Sequence, residues 1–130
     1  WRLTSPRTEL NLVRFENVGL RYGLGPEILR DLSFQIPAHS FQFLTGPSGA
    51  GKTSLLRLLF LSHRPTRGLV NLFGHDISRL GKDEIADLRK RIGIVPQDSV
   101  LFSTSALHNL RYGRPDASDE DVAAAARAAR

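Results

Sequence analysis

The segment spanning residues 46–53 constrains the fold of this chain more than any other. It reads Gly-Pro-Ser-Gly-Ala-Gly-Lys-Thr, which matches the pattern G-x-x-x-x-G-K-[ST] of a loop that binds phosphate groups. The pattern has this meaning where a strand precedes the loop and a helix follows it. A β-prone run over 41–45 and a leucine-rich run over 52–61 predict both elements. We therefore predict an α/β fold in which a helix begins at a phosphate-binding loop.

The residue types in the loop suit a polyanionic ligand. Gly46, Gly49 and Gly51 are expected to adopt backbone angles that other residues avoid, so that successive N–H groups point inward. The N-terminus of the following helix would add to the attraction for negative charge. Lys52 would reach the terminal phosphates of a nucleotide, and the Thr53 hydroxyl would bind Mg²⁺. The alternative interpretation is a glycine-rich turn followed by an exposed lysine.

The rest of the chain alternates between strand and helix patterns, separated by turn signals such as the one over 22–26. The helix after the loop is apolar on nearly every side, which predicts that it is buried. Ser118 is expected to cap the last helix, whose first turn is acidic and whose end is basic. The predicted strands are 12–18, 29–36, 41–45, 69–73 and 92–95, and the predicted helices are 52–61, 82–91, 104–111 and the residues after Ser118.

The composition indicates a globular domain. The 130 residues include no cysteine, which excludes disulfides and a cysteine nucleophile. The most apolar run, 55–61, is far shorter than the roughly 20 residues that a membrane-spanning helix needs. Residues 1–10 are polar and mixed in charge, so we expect a leader or linker there and one domain over 11–130. Because the chain begins with Trp1 and contains no methionine, we expect residues to be missing upstream.

The formal net charge of +5 comes almost entirely from arginine, with 15 arginines against 3 lysines. These arginines are scattered along the sequence and are not interleaved with aromatic residues as in a nucleic-acid-binding surface. We therefore predict no nucleic-acid partner. A polyanionic small ligand or an anionic membrane surface accounts for the basic charge.

The sequence around the loop resembles the ATP-binding cassette (ABC) ATPases. Tyr22 lies upstream of the loop at about the distance at which that family has an aromatic residue that stacks on adenine. Gln97 follows a short apolar run, where the family has a glutamine that contacts Mg²⁺ and the attacking water. The resemblance implies an ABC-type P-loop NTPase fold, with a mainly parallel sheet and an antiparallel β subdomain.

The resemblance also implies ATP and Mg²⁺ as ligands. Lys52 and Gln97 would be the catalytic residues, and Thr53 and Gln97 would bind the metal. The residues that would bind the nucleotide are Tyr22, Gly46, Pro47, Ser48, Gly49, Ala50, Gly51, Lys52, Thr53 and Ser54.

Two branches of the family are represented in different parts of the chain. Residues 12–91 are most similar to the cell-division ATPase FtsE, notably over 43–53 and 64–68. Residues 92–122 are more similar to the ATPase domains of ABC exporters. A natural or engineered chimera stays open. We take the FtsE-like function in cell division as the leading hypothesis and an exporter domain, or a nucleotide-binding fragment without turnover, as the alternative.

The two branches imply different membrane partners. The FtsE resemblance implies a peripheral ATPase at the cytoplasmic face of the bacterial inner membrane, paired with an FtsX-like protein. The exporter resemblance implies a transmembrane domain, and in both cases the complete domain would form an ATP-dependent homodimer. The signature motif, the Walker B aspartate, the catalytic glutamate and the switch histidine are expected beyond Arg130. We therefore expect a truncated, inactive domain with uncovered apolar surface and poor solubility.

Two further hypotheses come from other classes of protein. A small-metabolite kinase has the same kind of loop, but it would also have an arginine-rich lid and an acceptor pocket, and the sequence contains neither as a cluster. A non-enzymatic interaction fragment with a relic loop would show no nucleotide-dependent rise in melting temperature.

Overall fold

The chain divides into two units, with the boundary after Ile92. The computed structural model describes residues 11–98 and 100–129. The predicted leader over 1–10 lies outside the described residues. The first unit contains Tyr22 and the loop over 46–53, and the second contains Gln97.

An antiparallel sheet forms the scaffold of the first unit. Its strands are β1 (Asn11–Arg21), β2 (Glu27–Pro37), β3 (Arg67–Leu72) and β4 (His75–Asp76), in the order β2-β1-β3-β4. The inner strand β1 pairs with β2 on one side and with β3 on the other. The strands predicted over 12–18, 29–36 and 69–73 are confirmed. The predicted turn after β1 is also present, and it closes where the Gly25 N–H donates to the Tyr22 carbonyl oxygen at 3.1 Å.

Helices from the same unit pack against this sheet through one apolar cluster. The helical segments are α1 (Lys52–Leu59), a 3-10 turn (Ile77–Arg79) and α2 (Lys82–Arg89), which confirm the helices predicted to begin at 52 and 82. The buried members of the cluster are Phe15, Val18, Leu20, Leu29, Leu55, Leu58, Leu61, Val70, Leu72, Ile77 and Leu88.

Helix α1 contributes only one face to this cluster. Leu55 and Leu58 are buried, whereas the side of the helix that carries Leu56 is exposed, with Leu56 at 41% of its maximal accessible area. The prediction that this helix is buried on nearly every side is therefore wrong for the described residues. The sheet and its associated elements cover one side of α1, and within the described part of the first unit no second layer covers the other.

The parallel part of the predicted sheet is not formed by the described residues. The runs over 41–45 and 92–95 were expected to be strands, but neither has strand hydrogen bonding. Phe41 and Phe43 are more than 80% exposed in the first unit, and Val95 is 98% exposed in the second. A strand inside a parallel sheet is held by hydrogen bonds to strands on both sides. Neither run has such a neighbour among residues 11–98 and 100–129, so β propensity alone does not make it a strand.

An arginine crosses the central strand and connects β3 with β2. Arg67 lies opposite Gly19 of β1, and a Cβ at Gly19 would lie only 2.7 Å from the Arg67 Cγ. The guanidinium passes this glycine and donates two hydrogen bonds to Glu27, at 2.6 and 3.1 Å, and one to Asp31. Gly19 therefore provides the space for an ion-pair triad of Arg67, Glu27 and Asp31.

The second unit consists of two helices and the loops around them. These are α3 (Ala106–Arg111) and α4 (Asp119–Ala128), where the sequence predicted them. The Asn109 side chain closes the loop before α3, since its Oδ1 accepts from the Phe102 N–H at 2.8 Å and its Nδ2 donates to the Phe102 carbonyl oxygen at 3.1 Å. Ser118 caps α4 as predicted, because its hydroxyl oxygen accepts from the Asp121 N–H at 3.1 Å.

The triad predicts a loss of stability in acid. Hydrogen bonding to Arg67, and secondly its positive charge, lowers the pKa of Glu27 below its ordinary value of 4.5 and the pKa of Asp31 below 3.8. Carboxyl groups with lowered pKa values in the folded state stabilise it above their ordinary pKa values, and this stabilisation is lost as the pH falls through the lowered values. At low ionic strength, the melting temperature of the native chain should therefore fall more steeply below about pH 4.5 than that of Arg67→Gln. Melting curves by circular dichroism across this range provide the measurement.

Arg30→Gln is the control, because Arg30 donates to the Glu27 carbonyl oxygen and not to a carboxylate of the triad, so its loss leaves the triad in place. Parallel pH profiles for the native chain and Arg67→Gln would refute this account.

Candidate phosphate-binding site

The loop over 46–51 leads directly into the N-terminus of α1. The Ala50 N–H donates to the Pro47 carbonyl oxygen at 3.2 Å, which makes a tight turn. The first helical hydrogen bond follows at once, from the Leu55 N–H to the Gly51 carbonyl oxygen at 2.9 Å. Residues 41–50 are all exposed, so the loop is open to solvent. The loop and the helix after it are present as predicted, although the strand before them is not.

Two of the three predicted loop glycines adopt the left-handed conformation. Gly49 has φ +82° and Gly51 has φ +96°, angles that glycine tolerates far better than other residues. Gly46 lies outside this region, so the expectation of an unusual backbone angle there is wrong. Gly51 has a second constraint, because a Cβ at this position would lie 2.9 Å from Leu29 Cδ2 and 3.3 Å from Ile28 Cγ2 of β2. The end of the loop lies directly on β2.

Lys52 folds back over the loop that precedes it. Its ammonium group donates hydrogen bonds to the carbonyl oxygens of Gly46 and Pro47, the latter at 3.4 Å. The cation is thereby held at the mouth of the loop. Phosphate oxygens are stronger acceptors than these neutral carbonyl groups, because an ionised acceptor makes the stronger hydrogen bond. Lys52 is therefore in place to exchange its carbonyl partners for a phosphate.

The charged residues of the loop and of α1 are all basic. The first turn of α1 carries no acidic residue, so the partial positive charge of the helix N-terminus is not neutralised from within that turn. The loop over 46–51 carries no charged side chain, and those of α1 are Lys52 and Arg57. Thr53, the predicted ligand of Mg²⁺, is exposed on the first turn. These residues suit an anion that carries a metal ion.

Tyr22 contacts helix α1 rather than the loop itself. Its hydroxyl group donates to the Ser54 Oγ at 3.0 Å, and Ser54 is buried. The Arg57 guanidinium lies 5.9 Å from the centre of the Tyr22 ring, and the His63 ring packs edge to face against it at 5.2 Å. The Ser54 hydroxyl group can also donate to the phenolate form of Tyr22, which lowers the pKa of the Tyr22 hydroxyl group; burial opposes this shift, and the neighbouring Arg57 adds to it.

Sequence reasoning brought Tyr22 and Ser54 to the site but missed Arg57 and His63. A signal for Arg57 was present, because it follows Ser54 by three residues in a predicted helix and so shares a face with it. His63 follows the helix in a turn, and no periodicity places a turn residue beside β1. The contact of His63 with Tyr22 is a tertiary one.

Gln97 belongs to the second unit, where it lies on an exposed bend. Its predicted roles in catalysis and metal binding stay predictions. Within residues 11–98 and 100–129, no group of three or more His, Asp or Glu side chains is arranged to hold a metal ion. None of the helices in this described part is both long and apolar enough to cross a bilayer.

Comparison with known proteins identifies the family. The model of the ABC transporter family matches residues 29–130, which run from β2 through the loop to the end of the chain. The chain belongs to the ABC transporter family. The ATPase domains of this family hydrolyse ATP. The predicted ABC-type P-loop NTPase fold is thereby confirmed, and its antiparallel β part is present, whereas the predicted mainly parallel sheet is not formed by the described residues.

Curated relatives include ATP-binding cassette proteins and mitochondrial transporters. The chain is 44% identical over 123 residues to ATP-binding cassette sub-family B member 6 from Homo sapiens, a match that covers 95% of this chain and 14% of the relative. It is 46% identical over 110 residues to the mitochondrial iron-sulfur clusters transporter ATM1 from Candida albicans, covering 85% of this chain and 14% of that protein. The chain thus spans about one seventh of the length of these relatives.

A solved structure gives the same assignment within the ABC family. The chain is similar to a bacterial Atm1-family ABC exporter with ATP bound, with a TM-score of 0.81 and 44% identity over 90% of this chain and 20% of that one. The FtsE-like interpretation, with its function in cell division and its FtsX-like partner, is not supported by these comparisons. They favour the exporter alternative.

The geometry of the loop predicts that substitution by alanine has different effects on stability at two of its glycines. Gly51→Ala should destabilise the first unit by about 1–3 kcal/mol, because alanine is strained in the left-handed region and its Cβ would press on Leu29. Gly46→Ala is the matched control and should be close to neutral, since its Cβ would meet the nearest atom, Ala50 Cβ, at 3.6 Å. Urea denaturation of the three chains measures the difference. Equal stability of the two variants would contradict the role assigned to Gly51.

Proposed function

We propose that this chain is the nucleotide-binding part of the ATPase domain of an ABC exporter and that it binds ATP with Mg²⁺ at the loop over 46–53. The arrangement of Lys52 carries the proposal. Its ammonium group is held over a loop with two left-handed glycines, at a helix N-terminus whose first turn carries no acidic residue. This combination provides N–H donors, a mobile point charge and a helix dipole for the same anion.

The surrounding residues fit the two proposed ligands. The exposed hydroxyl group of Thr53, next to Lys52, supplies the hard oxygen ligand that Mg²⁺ prefers. When bound, the metal ion would neutralise charge on the phosphate groups. Tyr22 supplies an aromatic surface beside the same helix, which suits a nucleotide base. We propose that Pro47, Ser48 and Ala50 contribute mainly through the backbone of the loop, and that Gln97 acts in the complete domain.

The exporter assignment extends to partners and location. The relatives and the solved structure are exporters or transporters, which supports a transmembrane domain as the partner and an ATP-dependent dimer as the working state. A location at a bacterial or a mitochondrial membrane is compatible with these relatives, so the bacterial inner membrane is one of two proposed sites. We propose that the domain occupies residues 11–130 and that it binds no nucleic acid.

Binding without turnover is proposed for this chain by itself. Hydrolysis of ATP requires a group that orients or polarises the attacking water. Residues 32–75, which include the loop and α1, contain no carboxylate that could do so. Lys52 and the loop would therefore hold the phosphates in place, while the chemical step would need residues that they do not supply.

Nucleotide binding predicts a rise in thermal stability that depends on Lys52. A ligand that binds only the folded state stabilises it by about 2.7 kcal/mol at a concentration of 100 times Kd. The melting temperature of the native chain should rise progressively with ATP in the presence of Mg²⁺, and Lys52→Ala should lose most of this rise. Lys90→Ala removes an exposed lysine that directly follows α2 and is the matched control. A full rise in Lys52→Ala would show that the loop is not the site.

Turnover is predicted to be absent in the isolated chain. Phosphate release from ATP, measured with Mg²⁺ over several hours, should not exceed that of a heat-treated sample. Steady hydrolysis that Lys52→Ala abolishes would contradict the proposal, because it would show that these 130 residues contain a complete catalytic centre. Hydrolysis that Lys52→Ala leaves unchanged would identify a contaminant.

A further inference from the structure

Three side chains contact Tyr22, two from α1 and one from the turn that follows it. Ser54 accepts the hydrogen bond of its hydroxyl group at 3.0 Å, and Arg57 donates to the same hydroxyl oxygen at 3.4 Å. The Arg57 guanidinium also lies 5.9 Å from the ring centre, within the range of a cation–π interaction. His63 meets the ring in a T-shaped contact at 5.2 Å. The tyrosine is therefore fixed at its hydroxyl end and flanked along its ring.

These contacts connect Tyr22 to α1, the helix that follows the phosphate-binding loop. Ser54 and Arg57 are three residues apart on α1, so they share one face of the helix. The same helix begins at Lys52, directly after its N-cap residue Gly51. Ser54 is only 7% exposed, which makes it a fixed anchor, while Arg57 is exposed and reaches Tyr22 with its guanidinium group. The orientation of the ring is thus set relative to the loop and not only relative to β1.

We propose that Arg57 is a positioning residue, which acts through Tyr22 by holding its ring in the orientation in which a nucleotide base stacks on it. The inference rests on the proposed function, since it requires that a nucleotide occupies the loop. A guanidinium group that lies against an aromatic ring is attracted by its π electrons, and it limits the rotation of a side chain anchored only at its tip. Arg57 would therefore contribute to the recognition of the base and not to that of the phosphates.

The alternative is that Arg57 acts as one more positive charge on the phosphates. The two roles differ in the ligand that they affect. A charge on the phosphates would strengthen binding of ATP and of inorganic tripolyphosphate alike. A group that orients Tyr22 would strengthen binding of ATP only, because tripolyphosphate has no base.

The test compares ATP with inorganic tripolyphosphate in the presence of Mg²⁺, with Kd measured by isothermal titration calorimetry on the 130-residue chain. Arg57→Gln should weaken ATP binding about two- to fivefold, the effect expected for an exposed cation–π contact, and leave tripolyphosphate binding unchanged. Arg57→Lys keeps the cation and should recover part of the lost affinity. Arg79→Gln is the matched control, because it removes an arginine of the same unit whose side chain is 86% exposed.

Tyr22→Phe provides a second, independent variant. It keeps the ring but removes the hydroxyl group that Ser54 and Arg57 bind, so it should also weaken ATP binding selectively. Since both variants release the same ring, adding Arg57→Gln to Tyr22→Phe should cost less than it does in the native chain. This coupling would not appear if Arg57 only stabilised the fold, and melting temperatures of all variants measure that contribution separately.

Several outcomes overturn the inference. An equal loss for ATP and tripolyphosphate in Arg57→Gln would assign Arg57 to the phosphates, and unchanged ATP binding would remove any role for it. Equal affinity of the native chain for both ligands would leave the loop as a phosphate site but exclude base stacking on Tyr22. If the native chain binds neither ligand, the proposed function itself fails and the inference fails with it.

Discussion

The contact of Gly51 with β2 is the constraint on which the rest of the first unit depends. At this residue the loop ends and the helix follows, and a Cβ would lie within 3.3 Å of side-chain atoms of Ile28 and Leu29. A larger residue would push the start of α1 away from the sheet. Leu55 and Leu58, one and two turns further along, would then lose their place in the apolar cluster. The absence of a side chain at Gly51 therefore determines both the shape of the anion site and the packing of the core.

The elements that the sequence predicted correctly are those whose signals are local. The strands over 12–18 and 29–36 follow from alternation and turn residues, and the cap at Ser118 follows from one hydroxyl group and the acidic residues after it. The strands predicted over 41–45 and 92–95 have the same local signals. A strand, however, also needs a partner, and β propensity carries no information about whether one is present.

The candidate site was predictable to a similar degree. The loop and the helix that begins at Lys52 followed from a motif, whereas base stacking on Tyr22 stays a prediction. The contacts of Tyr22 with Arg57 and His63 could not be predicted in this way, because they join the turn after β1 to residues more than 30 positions later in the chain. The sequence motifs also led to the FtsE-like function as the leading hypothesis, whereas the comparisons favour the exporter branch. The loop and the residues beside it fit any protein that binds a nucleoside triphosphate. Comparison over the whole chain was needed to distinguish the two branches.

The triad of Arg67, Glu27 and Asp31 acts across a strand to which none of its members belongs. Because side chains of a strand alternate between faces, a slip of β3 by one residue would turn Arg67 to the opposite face of the sheet. Glu27 and Asp31 would then lose their shared counter-ion. The triad forms only when β2 and β3, which do not pair with each other, are both in register with β1. Its ion pairs therefore favour the native register over misregistered sheets. If β3 were exchanged for the corresponding strand of a relative, the triad would keep this effect on strand register only if Gly19, Glu27 and Asp31 were retained together with Arg67.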